Sequence, residues 1–148
     1  MTPILHDPVF VPTTDEKLQI MLELAHVKPG QKVADLGSGN GKIIIALAKL
    51  GVEGHGYEIN YFLVWQSRHT IRRLGLEKLA KVHRQSFRQA DLSSIDLVTL
   101  YTSAETMAGF EKKLQKELKS GAKVVSNTFQ FPNWKPLKVR DRVYLYQK

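Results

Sequence analysis

Val33-Ala34-Asp35-Leu36-Gly37-Ser38-Gly39-Asn40-Gly41-Lys42 is the stretch that decides the fold. Lys32 to Leu36 reads as a strand, and Ile43-Ile44-Ile45-Ala46-Leu47-Ala48 as the core of a helix running through Lys49. Glycines at 37, 39 and 41 join them, and a strand that turns through glycines straight into a helix is the opening of a parallel α/β unit. Such glycines let the backbone come close to a ligand at the carboxyl edge of a sheet, where the helix start offers free N–H donors. Two nucleotide fingerprints fail here. A dinucleotide turn, GxGxxG, places glycine or alanine at 42, where this chain has Lys42. A Walker turn, GxxxxGK[ST], needs glycine at 36 and a hydroxyl at 43, where Leu36 and Ile43 stand.

Outward from that turn the chain alternates between β-branched apolar runs and longer stretches of helical period, the pattern of a parallel sheet covered by helices. Upstream, Thr13 and Glu16 have capping-box spacing, and Leu18, Met21, Leu22 and Ala25 follow on one helical face to about His26. Downstream, strands are expected at Glu53 to Ile59, Lys81 to Gln85, Ile95 to Tyr101 and Ala122 to Phe129, with a last one at Val143 to Gln147. A short strand is expected around Leu137 to Val139. Asn60 can cap a helix carrying Phe62, Val64, Trp65 and Ile71, with Phe62 and Trp65 expected in the core. Ser103 can cap another with Met107, Phe110, Leu114 and Leu118, stopped by Gly121. Lys112, Lys113, Lys116 and Lys119 read as its solvated face. No repeat or linker interrupts the series, so residues 1–148 are expected to form one domain, with 1–30 an N-terminal segment and helix and 31–148 the core.

The 148 residues are enough for one domain that hides about two-thirds of its unfolded surface. There is no cysteine, which excludes disulfides, thiolate metal sites and cysteine nucleophiles. The five histidines lack the i, i+4 pairing of a helical metal site, so no metal is expected. No apolar run approaches the roughly 20 residues needed to span a bilayer, and Met1 to Thr14 lacks a signal layout. A cytoplasmic protein with no membrane span is expected. Lysine plus arginine exceed acids by 22 to 14, a formal charge of +8 that favours anionic partners without choosing among them.

What remains at the glycine turn is DxGxGxG, Asp35 to Gly41, with Glu58 ending the second strand 23 positions after Asp35. A carboxylate there can accept from two ribose hydroxyls. The pair resembles the S-adenosyl-L-methionine-dependent methyltransferases of the Rossmann-like class, and further segments are similar to a narrower group. These are Phe10-Val11-Pro12-Thr13, Gly56-Tyr57-Glu58-Ile59-Asn60 with Leu63-Val64-Trp65, and Phe131-Pro132-Asn133-Trp134-Lys135-Pro136. Together they resemble the lysine N-methyltransferases of the ATP synthase c-subunit and of the adenine nucleotide translocase.

The resemblance implies a Rossmann-like sheet, mostly parallel, with helices on both faces and an antiparallel C-terminal strand. It implies cofactor contacts at Asp35, Gly37, Ser38, Gly39, Asn40 and Gly41, a ribose contact at Glu58 with Ile59 and Asn60 beside it, and an N-terminal lid at Val11 to Thr13. Asn60 serves equally as a helix cap. Relatives usually offer the adenine amino group an acid after the third strand, where this chain has Ser86 followed by Phe87. Relatives of the mitochondrion also carry an N-terminal apolar segment, whereas this chain starts almost at the lid.

A lysine acceptor must be neutral to attack, and an apolar aromatic channel favours the neutral form. Tyr101, Phe129 and Trp134 are the candidate walls, with core packing the competing role for each. No residue is assigned a catalytic role from the sequence: methyl transfer is an in-line displacement that mainly needs alignment and exclusion of water and requires no metal or covalent intermediate. The leading expectation is a protein-lysine methyltransferase acting on a protein with an accessible lysine. An RNA or small-molecule methyltransferase is the alternative that the charge supports, and a non-catalytic cofactor-binding module is a third.

Overall fold

The computed structural model describes residues 11–148; the readings placed on residues 1–10, Phe10 of the lid segment among them, lie outside the described residues. Among the described residues, four α-helices and seven strands make an open doubly wound fold. The helices are α1 (Asp15–Ala25), α2 (Lys42–Lys49), α3 (Tyr61–Arg73) and α4 (Met107–Glu117). The strands are β1 (Lys32–Leu36), β2 (Glu53–Tyr57), β3 (Ala80–His83), β4 (Leu97–Leu100), β5 (Lys123–Asn127), β6 (Lys138–Arg140) and β7 (Val143–Gln147). Their spatial order is β3-β2-β1-β4-β5-β7-β6. Pairing is parallel from β3 to β5, and β7 lies antiparallel to both β5 and β6. Strand order reverses between β1 and β4, and a crevice at such a switch point is where open α/β sheets bind ligands.

Both faces of the central strands are covered, which is why those strands read as continuous apolar runs rather than alternating ones. Ala34, Leu36, Val98, Leu100 and Val124 face Met107, Phe110 and Leu114 of α4. Their odd-numbered neighbours Val33, Leu97 and Val125 face Met21 and Leu24 of α1 and Leu47 of α2. A third cluster packs Ile44 and Ala48 of α2 with Val64 and Ile71 of α3 over Ala80 and Val82 of β3.

Three expectations are corrected. The cap of α1 is Thr14, whose hydroxyl accepts from Lys17 N at 3.2 Å, not Thr13, which is buried with its carbonyl engaged by Lys42. Phe62 and Trp65 are 63% and 57% exposed, because α3 turns Val64, Ser67 and Ile71 inward and leaves the opposite stripe to solvent. Strands β2, β3, β4 and β5 stop one or two residues early, and each early stop frees side chains at the carboxyl edge. After β5 the stop is abrupt: Thr128 has φ 75° and Phe129 N donates to Asn127 O at 2.9 Å, a tight turn that a β-branched residue adopts only under strain.

Candidate functional site

A cleft of about 820 Å³, part of it open to solvent, lies at the carboxyl edge where β1 and β4 diverge. Its floor is the glycine turn. Gly37 N and Ser38 N both donate to Tyr57 O, at 2.9 and 3.0 Å, so the turn is folded back onto the end of β2. The close fit requires Gly56, because a Cβ there would lie 2.6 Å from Ser38 Cβ and Oγ. At the helix entrance Gly41 has φ 84°, and a Cβ would meet Ser67 Cβ at 2.9 Å. Packed this way, Ser38 Oγ is buried and has no hydrogen-bond partner although the residue lines the cleft.

Two carboxylates enter the cleft from adjacent strand ends. Asp35 is 3% exposed, and Thr99, its register partner on β4, donates from Oγ1 to Asp35 Oδ1 at 2.8 Å. Burial pushes the Asp35 carboxyl up to about 7; the Thr99 hydrogen bond opposes the rise and the Glu58 carboxylate adds to it. Glu58 is half-buried and doubly held: Oε1 accepts from Gly39 N at 3.0 Å and Oε2 from Asn60 N at 2.9 Å. A carboxylate can accept about four hydrogen bonds, so each oxygen keeps capacity for a further donor. Behind it, Glu58 N donates to His83 O at 3.1 Å and the Tyr57 ring stacks on His83 at 4.9 Å. Burial, then the charges of His55, Arg68 and Lys81, hold His83 below its ordinary value.

Of the residues singled out from sequence, Val11, Thr13, Asp35, Gly37, Ser38, Asn40, Glu58, Ile59, Ser86, Phe87 and Tyr101 line this one cleft. Gly39, Gly41 and Asn60 do not line it. They position what does, Gly39 and Asn60 by holding Glu58, and Asn60 also by capping α3 through Leu63 N at 3.1 Å. Phe129 is not a lining residue either, but its ring flanks that of Tyr101 at 6.5 Å, aimed there by the strained Thr128 turn and by Ser126 Oγ, which donates to Phe129 O at 2.6 Å.

Trp134 does not line the cleft either; it packs on the main core, stacked on Phe131 at 5.5 Å and beside Tyr146 at 5.2 Å. Buried Glu111 of α4 holds that segment by accepting from Asn133 N at 2.8 Å. Sequence reading missed Leu36, Lys42, Ile43, Tyr57, Gln85, Thr102 and Phe110 as wall residues. Gln85 and Thr102 could have been found as the neighbours of Ser86 and Tyr101 beyond strand ends. Phe110 reads as core, and it also fills that role.

Comparison with known proteins places this geometry in context. A family model described as the ANTKMT methyltransferase domain matches residues 35–138. The chain is 36% identical to the human ATP synthase c-subunit lysine N-methyltransferase over 127 residues, covering 86% of this chain and 54% of that protein. It is 35% identical to a protein-lysine N-methyltransferase of Saccharolobus islandicus over 156 residues, covering 99% and 96%. A solved RNA methyltransferase from Salinibacter ruber, in complex with S-adenosyl-L-homocysteine, superimposes with a TM-score of 0.89 at 33% identity and 93% coverage of both chains. The chain spans about half the length of the human, rat, mouse and Xenopus laevis ATP synthase c-subunit methyltransferases it matches.

Proposed function

The chain belongs to the family of ANTKMT methyltransferase domains, and from that premise we propose that it transfers a methyl group from S-adenosyl-L-methionine to the side-chain amine of a lysine in an acceptor protein. The observation that carries the reading is the convergence of Asp35 and Glu58 on one cleft floored by the glycine turn. The donor set suits a nucleoside bearing a cationic amino acid. Glu58 has acceptor capacity for the two ribose hydroxyls, Ser38 Oγ is a buried hydroxyl still lacking a partner, and Asp35 gives a cation a carboxylate to lie beside. Ser86 and Gln85 offer polar groups at the end of β3 for the base edge.

When bound, the cofactor supplies an electrophilic methyl on a sulfonium. The protein's part is alignment and exclusion of water. Val11, Pro12 and Thr13 line the cleft, and Tyr101, with the Phe129 ring beside it, adds an aromatic wall. Keeping a lysine neutral at pH 7 costs about 4.6 kcal/mol from a solution pKa of about 10.4. An aromatic wall lowers that cost by disfavouring the ammonium form.

A second reading, methylation of RNA, is favoured by the net charge of +8 and by the activity named for the Salinibacter ruber relative. Incubation with methyl-labelled cofactor and fractionated lysate of the source organism separates the two. We expect label in protein, released as methyllysine on hydrolysis. Label confined to RNA, with binding that weakens steeply with salt, would establish the second reading instead.

A further inference from the structure

Lys42 occupies the first position of α2, where the helix dipole disfavours a cation. Its ammonium is used elsewhere. Nζ donates to Thr13 O at 2.8 Å and lies 2.6 Å from Asp15 Oδ1, so it reaches across 29 residues to the segment that covers the cleft. Lys42 and Thr13 both line that cleft, and Asp15 opens α1 immediately after it. Among the described residues, this is the hydrogen bond that ties residues 11–13 to the body of the fold. It also explains why Thr13 is drawn inward and gives up the cap of α1 to Thr14.

From this geometry we infer that Lys42 is a positioning residue: it straps the Val11-Pro12-Thr13 segment over the cofactor cleft and thereby sets how fast the bound nucleoside leaves. The inference rests on the cofactor reading above, since only a ligand in this cleft lies under the strap. Two of the three ammonium donors are engaged by the strap itself. The ion pair with Asp15 is a minor part of it, because the Asp15 side chain is 89% exposed and water screens the attraction. The bond to the Thr13 carbonyl carries most of the effect.

The test uses the full chain with Lys42→Met, which keeps the stem and removes the ammonium, together with Lys42→Arg, Asp15→Asn and the Lys42→Met/Asp15→Asn double variant. Hydrogen exchange of the ligand-free proteins reads the strap directly. Lys42→Met is expected to speed exchange at residues 13–17 and to leave β1 and β4 unchanged. Dissociation of S-adenosyl-L-homocysteine, followed by surface plasmon resonance, is expected to accelerate about tenfold in Lys42→Met, the weight of one partly exposed charge-assisted bond. Lys42→Arg should restore most of the loss. Asp15→Asn should change the rate less than threefold, and the double variant should match Lys42→Met, because both residues act through one strap.

Exchange unchanged in Lys42→Met would overturn the strap. Full additivity in the double variant would overturn it too, by assigning Lys42 a direct contact with the ligand instead. If the unaltered chain fails to bind S-adenosyl-L-homocysteine, the cofactor reading fails, whereas the exchange result still decides whether Lys42 holds the segment.

Discussion

Replacing Asp35 with asparagine should make the ligand-free protein more stable at alkaline pH while loosening its hold on the cofactor. The carboxyl titrates at about 7 in the fold against an ordinary 3.8, because it is buried beside β4 with one hydrogen-bond donor, Thr99, and a second carboxylate nearby. That span of about three pH units, at about 1.4 kcal/mol each, gives an upper bound of about 4 kcal/mol. The sign follows from which state holds the proton more tightly. Below the ordinary value the carboxyl is protonated in both folded and unfolded chains, and its contribution is fully present. As pH rises the unfolded chain releases its proton first, so stability falls until pH passes 7 and then levels off. Asparagine keeps the shape and still accepts from Thr99 but has no charge to desolvate, so the slope disappears. Its amide needs a partner for its own N–H groups, which offsets part of the gain, leaving about 1 to 3 kcal/mol in favour of the variant at pH 8.5.

Urea unfolding of both proteins from pH 4 to 8.5 measures this as a difference. Other carboxyls pull the other way: Glu53 is held low by its hydrogen bond from His55 and Asp91 by backbone and side-chain bonds from Ser93, so their stability is lost as pH falls. They are common to both chains and cancel. A difference that stays flat over the range, or a variant less stable at pH 8.5, would refute the reasoning. Binding supplies the counterpart. Cofactor affinity of the unaltered protein should rise as pH climbs toward 7, by up to about tenfold per pH unit, and the asparagine variant should be weaker and show no such slope.

Glu58→Ala removes an acceptor that holds Gly39 N and Asn60 N as well as the proposed ribose contact, and should weaken cofactor binding by about 1.5 to 3 kcal/mol in calorimetry. Gly56→Ala drives a methyl into Ser38, which cannot retreat without moving the glycine turn; thermal melting should show a loss of about 1 to 3 kcal/mol, with cofactor affinity falling alongside. Gly109→Ala, in α4 with no atom within 4 Å of the new Cβ, should raise stability by about 0.5 to 1 kcal/mol and leave binding unchanged.

What the sequence made legible follows a physical line. The bounds of β1 and β7 were readable because runs buried on both faces carry their own punctuation, Gly30 and Gly37 for one, Arg142 and Lys148 for the other. Asp35 and Glu58 were readable because a strand end fixes a residue's place at the sheet edge. Thr13 was misread as a cap because its spacing to Glu16 fits a capping box; in the fold it is buried with its carbonyl accepting from Lys42, 29 residues away, and Thr14 takes the cap although Lys17, not an acid, stands three residues on. Trp65 was misread because an aromatic residue at helical spacing carries no mark of which stripe faces inward until β3 is in place beneath α3. Trp134 had no periodicity to place it, and the anchor that settles it, Glu111 on Asn133, spans α4 and the loop after β5.

Four departures from local rule meet at the cleft, whereas the left-handed residues His26, Asp141 and Arg142 lie outside its lining. Asp35 is a carboxyl buried deeply enough to lose its ordinary acidity, and Ser38 Oγ is a buried hydroxyl without a partner. Lys42 is a cation at the unfavourable end of a helix, and Thr128 is a β-branched residue at positive φ. The first three line one cleft, and the fourth aims Phe129 at its Tyr101 wall. Burial of the Asp35 charge, the unpartnered Ser38 hydroxyl and the positive φ of Thr128 each cost stability in the ligand-free fold, whereas Lys42 offsets its place on the helix dipole by its bonds to Thr13 and Asp15. Their common address fits the cofactor proposed above: a cationic nucleoside that met Asp35, Ser38 and Glu58 together would give the buried hydroxyl and the two carboxylates partners.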